Sequence, residues 1–235
     1  MEHAHRANRS GWMVAEFLLI VAGVLSALAV DAGWQSHVDR VREREYLEQL
    51  HSDALENRVR LQAAFELEDD QRRRATSIVD ALRTGQPVAP DSAVAWMDGD
   101  PPFPWYSDPR LARGTILALV ETGDLNLIRD PAVRSATVAY LGQLEADLAE
   151  FSRSVGPFQD YYLRLVGLAE THRAAVGGFD ADRPSGMLHS IESEPEAAVL
   201  FQLFAANIGV RMWYLDQMRQ ATDSFVVALS SGDAR

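Results

Sequence analysis

Residues 12–30 read WMVAEFLLIVAGVLSALAV, and this stretch decides the architecture of the chain. It carries a single charge, on Glu16. A helix rises about 1.5 Å per residue, so about 20 apolar residues cross the hydrocarbon core of a bilayer. Trp12 and Trp34 bracket the stretch, and tryptophan is enriched at both membrane interfaces. We therefore predict a transmembrane helix over residues 12–34, with Trp12 and Trp34 as its interface anchors in the lipid bilayer.

The charges beside this helix predict its orientation. Arg6 and Arg9 precede it in a short stub, residues 1–11, whereas Asp31 lies at the far end. Basic residues favour the cytoplasmic side of a membrane. Arginines also occur further along the chain, so the bias is modest. We expect a single-pass protein of the inner (cytoplasmic) membrane, with the stub in the cytoplasm and residues 35–235 in the periplasm or outside.

A cleaved signal peptide is the alternative for the same residues. Arg6 and Arg9 would form its basic start, and Ala27 and Ala29 would supply the small residues of a cleavage site. Glu16 interrupts the apolar stretch, and that stretch is long for a signal peptide. These two features favour a retained anchor.

One face of the predicted membrane helix carries small residues. Ala22 is followed four residues later by Ser26, and Gly23 by Ala27. This spacing lets two membrane helices approach closely, and it predicts a homo-oligomer. Glu16 has two interpretations: its carboxylate reaches headgroup water from near the interface, or it pairs within an oligomer.

Beyond the membrane, the sequence predicts helices and no strands. Residues 35–83 contain neither proline nor glycine, and residues 35–46 should continue the membrane helix as a stalk. A break over residues 66–74 stays open, because the apolar stripe blurs there. Gly85 should end the helix. The apolar stripe comprises Leu47, Leu50, Ala54, Leu61 and Ala64.

Residues 85–107 are rich in proline and are predicted as a loop, with a short helix over residues 92–97. Within it, residues 101–106 read PPFPWY. Such a run either binds a ligand or partner, or packs its rings onto the rest of the domain. We favour the packing interpretation.

Three further helices are expected. A helix over residues 109–122 should end at Gly123, and another should begin with Asp130 as cap and Pro131 at its first position. Pro157 should kink that helix near Arg153. Its buried seam, spaced by alternate steps of three and four, comprises Leu141, Leu144, Leu148, Phe151, Val155, Phe158, Tyr162 and Leu165.

The last helix is predicted over residues 195–229. Phe201, Met212 and Trp213 should widen its buried stripe, which comprises Leu200, Phe204, Ile208, Leu215, Met218, Phe225 and Leu229. Together these patterns predict an all-α fold: a transmembrane helix that continues into a stalk, then an antiparallel bundle of about four main helices over residues 35–235.

Composition excludes several functions. The net charge is −12, which argues against nucleic acid as a partner. The chain has no cysteine, so disulfides and thiolate metal sites are excluded. Glu48 and His51 form one Glu-x-x-His, but a di-iron bundle needs two. The acidic run over residues 66–70 lacks the spacing of a calcium loop and is typical of a solvated face. We predict no cofactor and no metal.

Two stretches resemble a family of uncharacterised bacterial single-pass membrane proteins. The first, residues 15–28 (AEFLLIVAGVLSAL) followed by Trp34, is similar to their N-terminal anchor. The second, residues 121–130 (ETGDLNLIRD), is similar to a turn between two of their helices. Ala15 stands where the family has glycine, and residues 31–33 replace its asparagines. The resemblance implies a retained anchor with a helical domain outside the cytoplasm, and it brings no catalytic residue.

These observations favour a non-catalytic module of the bacterial envelope, one that self-associates and contacts an envelope protein partner. The alternative is a sensory or ligand-binding helical domain, although a stub of 11 residues holds no output domain. A third interpretation, an enzyme that uses carboxylates with Tyr161 and Tyr162, has the least support, because no catalytic motif is present.

Overall fold

The structure, a computed structural model, describes residues 3–86, 108–176 and 195–232. These ranges contain five α-helices and one 3-10 turn. No strand occurs in these ranges. The all-α fold and its four long helices are confirmed. The helices are α1 (His3–Thr84), α2 (Gly114–Thr122), α3 (Pro131–Arg153), α4 (Val155–Val176) and α5 (Pro195–Gly232), with the 3-10 turn at Asp124–Leu127.

The first helix runs without a break from the predicted membrane segment through the stalk. Its 82 residues span about 120 Å at the usual rise of a helix. The break considered over residues 66–74 does not occur. Arg73 pairs there with Asp69, and Arg74 pairs with Asp70, both at the four-residue spacing that stabilises a helix. Gly85 ends the helix as predicted, since its φ of +68° belongs to the left-handed region that favours glycine.

The last helix packs antiparallel to α1. Three pairs of side chains fix the register: Arg83 with Gln202, Glu68 with Arg211, and Arg58 with Asp223. In these pairs the residue number falls along α1 as it rises along α5. The C-terminus of α5 therefore lies toward the predicted membrane segment of α1, and its N-terminus lies at the far end of the bundle.

Two clusters of buried apolar side chains form the core. The cluster nearer the predicted membrane segment joins α1, α2, α3 and the second half of α5; the other joins α1, α4 and the first half of α5. Nearly all of the predicted stripes of α1 and α5 belong to them. The first cluster includes Leu50, Leu61, Leu119, Leu144, Leu215 and Phe225, and the second includes Ile78, Phe158, Leu165, Phe201 and Phe204.

The α2 helix begins later than predicted, at Gly114 instead of residue 109. The backbone just before Gly114 is hydrogen-bonded to α1 instead of within its own helix. Asn57 of α1 donates to the carbonyl of Ala112 and accepts from its N–H, at 2.9 and 2.6 Å. Arg110 has a φ of +41°, which is incompatible with a right-handed helix. The side chain of Asn57 thus replaces the helical hydrogen bonds of this segment.

The start of α3 agrees with the prediction, whereas the single kinked helix that was expected to run past Arg153 is divided into two helices, α3 and α4. Asp130 caps it by accepting from the N–H groups of Ala132 and Val133, and Pro131 follows. Ser154 separates α3 from α4, three residues before Pro157, because a proline removes one donor and clashes with the preceding turn.

Two aromatic residues predicted to be buried are exposed. Tyr162 is 39 % exposed, and its neighbour Tyr161 packs against the core instead. Trp213 is 57 % exposed, and its ring lies edge-on to that of Tyr214. Both lie beside the buried stripe of their helix. The sequence pattern shows where such a stripe runs, but not how many neighbouring residues are buried with it. The predicted short helix at residues 92–97 and the PPFPWY run at residues 101–106 lie outside the described residues.

Candidate functional site

The predicted membrane helix projects from the domain as a bare helix. Every side chain over residues 16–35 is exposed, except Val21, which is partly so. Trp12 and Trp34 are 71 % and 68 % exposed, and 22 residues separate them, about 33 Å of helix. That length matches the hydrocarbon core of a bilayer. The association residues Glu16, Ala22, Gly23, Ser26 and Ala27 are therefore available to a neighbour outside this chain.

One face of this helix combines the acidic and the small residues. Glu16 lies seven residues before Gly23, and a step of seven returns to nearly the same face. Ser26, Ala27 and Trp34 continue that face and line a shallow concave surface. A Cβ added at Gly23 would meet no atom within 4 Å, so nothing in the chain itself requires the glycine.

In the part of the chain that the structure describes, two helices are long and apolar enough to cross a membrane. One is the N-terminal helix, with a mean hydropathy of 2.0 and none of its apolar window buried; the other is α5, with a mean hydropathy of 1.3. The second is the central helix of the bundle, and its apolar stripe lies in the core. These findings identify a membrane protein only weakly, and they favour α1 as the helix that spans.

A second exposed apolar surface lies on α5, on the side away from the core. The fourteen residues 197–210 carry no charge, although only one side of the helix is buried. On the other side, apolar residues recur at steps of four and three, which is the spacing of paired helices. We call this the α5 outer face; it consists of Val199, Leu203, Ala206, Val210 and Trp213.

A buried ion pair separates the two apolar clusters. Glu68 of α1 and Arg211 of α5 are both fully buried, and the guanidinium donates to one carboxylate oxygen, with Nε at 3.2 Å. The ring of Phe158 lies 4.0 Å below the guanidinium. Burial lowers the pKa of Arg211, and the carboxylate opposes that shift. The pair was not predicted, because Glu68 sits within an acidic run that is typical of solvated helix faces.

A second buried polar group ties α1, α3 and α5 together. The hydroxyl of Tyr140 accepts from Asn57 and bonds to Thr222, both at 3.2 Å. Burial raises the pKa of Tyr140 above its ordinary value of 10.0, and these two hydrogen bonds lower it in part. All three side chains are almost fully buried, so this group stabilises the core and offers nothing to a ligand.

The turn between α2 and α3, residues 123–130, is tied to the stalk. Tyr46 donates to Asp124 at 2.9 Å, and this bond raises the pKa of the phenol. Glu43 accepts from the backbone N–H of Arg129 at 2.6 Å, and its other oxygen lies 3.5 Å from the guanidinium. The guanidinium also reaches the carbonyl of Ser36 at 3.4 Å. These contacts hold the turn at residues 123–130 against α1, close to the predicted membrane helix.

The residues considered for catalysis lie on two separate helices, Glu48 and His51 on α1 and the two tyrosines on α4. Among the described residues no group of three or more His, Asp and Glu side chains could hold a metal ion. His51 is partly buried and Glu48 is exposed on α1. Tyr161 is partly buried against the core and lines a concave surface with Asp160 and Arg164, whereas Tyr162 is 39 % exposed.

Comparison with known proteins adds no assignment: no protein family, no curated protein and no solved structure matches the chain. The resemblance to the family of bacterial single-pass membrane proteins therefore stays a prediction.

Proposed function

We propose that this chain is a membrane-anchored, non-catalytic helical module that self-associates and presents a surface to another protein of the bacterial envelope. Residues 12–34 span the inner membrane once, with the N-terminal stub in the cytoplasm and the domain outside. The resemblance of residues 15–28 and 121–130 to bacterial single-pass proteins is in keeping with this placement.

The observation that carries the proposal is the α5 outer face. A helix that faces water normally carries charged residues on its exposed side. Here four turns carry none, and Val199, Leu203 and Val210 are between 42 % and 54 % exposed. The alternating steps of four and three match the way in which one helix receives the side chains of a like helix. We infer that a second copy of the chain covers this face.

The membrane helix supplies an independent reason for association. Its small residues would permit close contact of two backbones, and Glu16 lies on the same face. Two chains held in one membrane also meet at a high effective concentration, which strengthens a weak contact between their domains.

The test is sedimentation equilibrium of the full-length chain in density-matched detergent. We expect an oligomer. Val210→Asp on the α5 outer face should weaken association about tenfold or more, because a buried valine contributes about 1.5–3 kcal/mol and an unpaired carboxylate opposes burial. Val138→Asp is the matched control, since Val138 is 51 % exposed on α3 and Val210 is 48 % exposed.

A second pair of variants tests the membrane helix. Ala27→Leu should weaken association by separating the backbones, whereas Ala32→Leu, on the opposite face, should not. A wild-type chain that sediments as a monomer at all concentrations would refute the proposal. Equal weakening by Val210→Asp and Val138→Asp would show that the α5 outer face is not the contact.

A further inference from the structure

The side chain of Arg129 points along the stalk toward the membrane. Its backbone N–H bonds to Glu43, which lies nine residues beyond Trp34, about 13 Å further along the helix. Its guanidinium lies 3.4 Å from the carbonyl oxygen of Ser36, only two residues, or about 3 Å, beyond Trp34. The guanidinium therefore lies within about one helical turn of Trp34 along α1.

The height of this guanidinium can be compared with the thickness of a bilayer. The hydrocarbon core is about 30 Å thick and the whole bilayer about 40–45 Å, which leaves about 5–7 Å of headgroups on each side. If Trp12 and Trp34 mark the two edges of the core, Ser36 lies inside the headgroup layer. Arg129, which bonds to Ser36, lies there with it.

We propose that Arg129 binds the phosphate of a membrane phospholipid on the outer side of the membrane. This inference rests on the proposed single-pass anchor. About half of the Arg129 side chain is exposed, so donors remain for a ligand after the contacts with Glu43 and Ser36. Guanidinium forms short, strong, paired hydrogen bonds with phosphate. Bound in this way, the lipid fixes the turn at residues 123–130, and with it the domain, at a set height above the membrane.

The inference is tested by native mass spectrometry of the full-length chain from detergent, with dioleoyl phosphatidylglycerol as the probe. We expect the wild-type chain to retain phosphatidylglycerol and not diacylglycerol, which lacks the phosphate. Arg129→Gln should weaken retention about tenfold or more, the usual effect of losing a hydrogen bond to a charged group. Arg153→Gln is the control, because Arg153 is equally a surface arginine but lies at the other end of α3.

Glu43→Gln separates lipid binding from loosening of the turn. The amide oxygen of glutamine still accepts from the Arg129 backbone, and the competing negative charge is gone. Retention should therefore stay unchanged or rise; a fall would mean that the lipid responds to the fold of the turn and would overturn the inference. Equal retention by Arg129→Gln and wild type would also overturn it. Displacement by millimolar inorganic phosphate would assign the site to free phosphate instead of lipid.

The same spectra report the number of chains in each complex. Loss of the oligomer with lipid binding intact would refute the proposed self-association and leave the role of Arg129 standing. An oligomer that binds no lipid through Arg129 would refute the role of Arg129 and leave the proposed self-association standing.

Discussion

The buried pair of Glu68 and Arg211 gives the sharpest prediction about stability. Arg211→Met removes the cation and leaves a carboxylate in the core between the two apolar clusters. Breaking a buried pair by removing one partner costs about 3–5 kcal/mol. In a domain of this size each kcal/mol lowers the melting temperature by about 2–4 °C, so we expect a fall of about 6–20 °C.

The chain contains a matched control for this substitution. Arg58 and Asp223 also join α1 to α5, at 3.0 Å, but both side chains are about half exposed. Exposed pairs contribute about 0–1 kcal/mol, so Arg58→Met should lower the melting temperature by less than about 4 °C. Thermal unfolding followed by far-ultraviolet circular dichroism measures both.

The double variant decides between a charge effect and a packing effect. With Glu68→Leu added to Arg211→Met, neither charge of the pair remains, and stability should return to about the wild-type value or exceed it by about 1–4 kcal/mol. The reasoning is refuted if Arg211→Met is as mild as Arg58→Met. It is also refuted if the double variant is as unstable as the single one, because the loss would then come from packing against Phe158.

Three further predictions concern single sites. Gly123→Ala should destabilise the domain by about 1–2 kcal/mol, because the φ of Gly123 is +79°. Gly142→Ala, within α3, should stabilise the domain by about 0.4–1 kcal/mol. An added Cβ meets no atom within 4 Å at either position, so thermal unfolding should show changes of opposite sign. Asn57→Ala should cost about 1–3 kcal/mol in denaturant unfolding, because it leaves two backbone groups before α2 without partners, and an effect near zero would contradict this role. Asp124→Asn should lower the pKa of Tyr46 toward 10.0, as an earlier rise of phenolate absorbance on titration. Because the folded-state pKa of Tyr46 is raised, its contribution to stability is complete below pH 10.0 and is lost as the pH rises through the folded value; the Asn variant should lose less, and an unchanged titration would contradict the assignment.

The features that follow from local chemistry were predictable from the sequence. Gly123 ends a helix because its conformation suits glycine, and Asp130 begins one because its carboxylate caps free N–H groups. The absence of proline and glycine over residues 35–83 likewise indicated that α1 is long. Each of these depends on residues close together in the chain.

The features that the sequence did not predict depend on residues far apart in the chain, or on which of two apolar helix faces packs against the core. Glu68 is buried beside Arg211, 143 residues later in the chain, which pairs with its carboxylate. The late start of α2 follows from Asn57, 55 residues earlier. Trp213 was expected inside because residues 197–213 are apolar on more than one side, and periodicity cannot tell which apolar side faces the core. The apolar side that does not face the core is the α5 outer face.

The most direct test of the account is the topology of the chain in a bacterial cell. Since the sequence has no cysteine, single cysteines can be introduced at Ser10, in the stub, and at Ser77, on the exposed side of α1. Intact spheroplasts are treated with a membrane-impermeant maleimide after the membranes are shown to retain the protein against alkaline carbonate. We predict labelling of Ser77→Cys in intact spheroplasts, and of Ser10→Cys only after lysis. The reverse pattern, or a chain released by carbonate, would contradict the single-pass anchor with its domain outside.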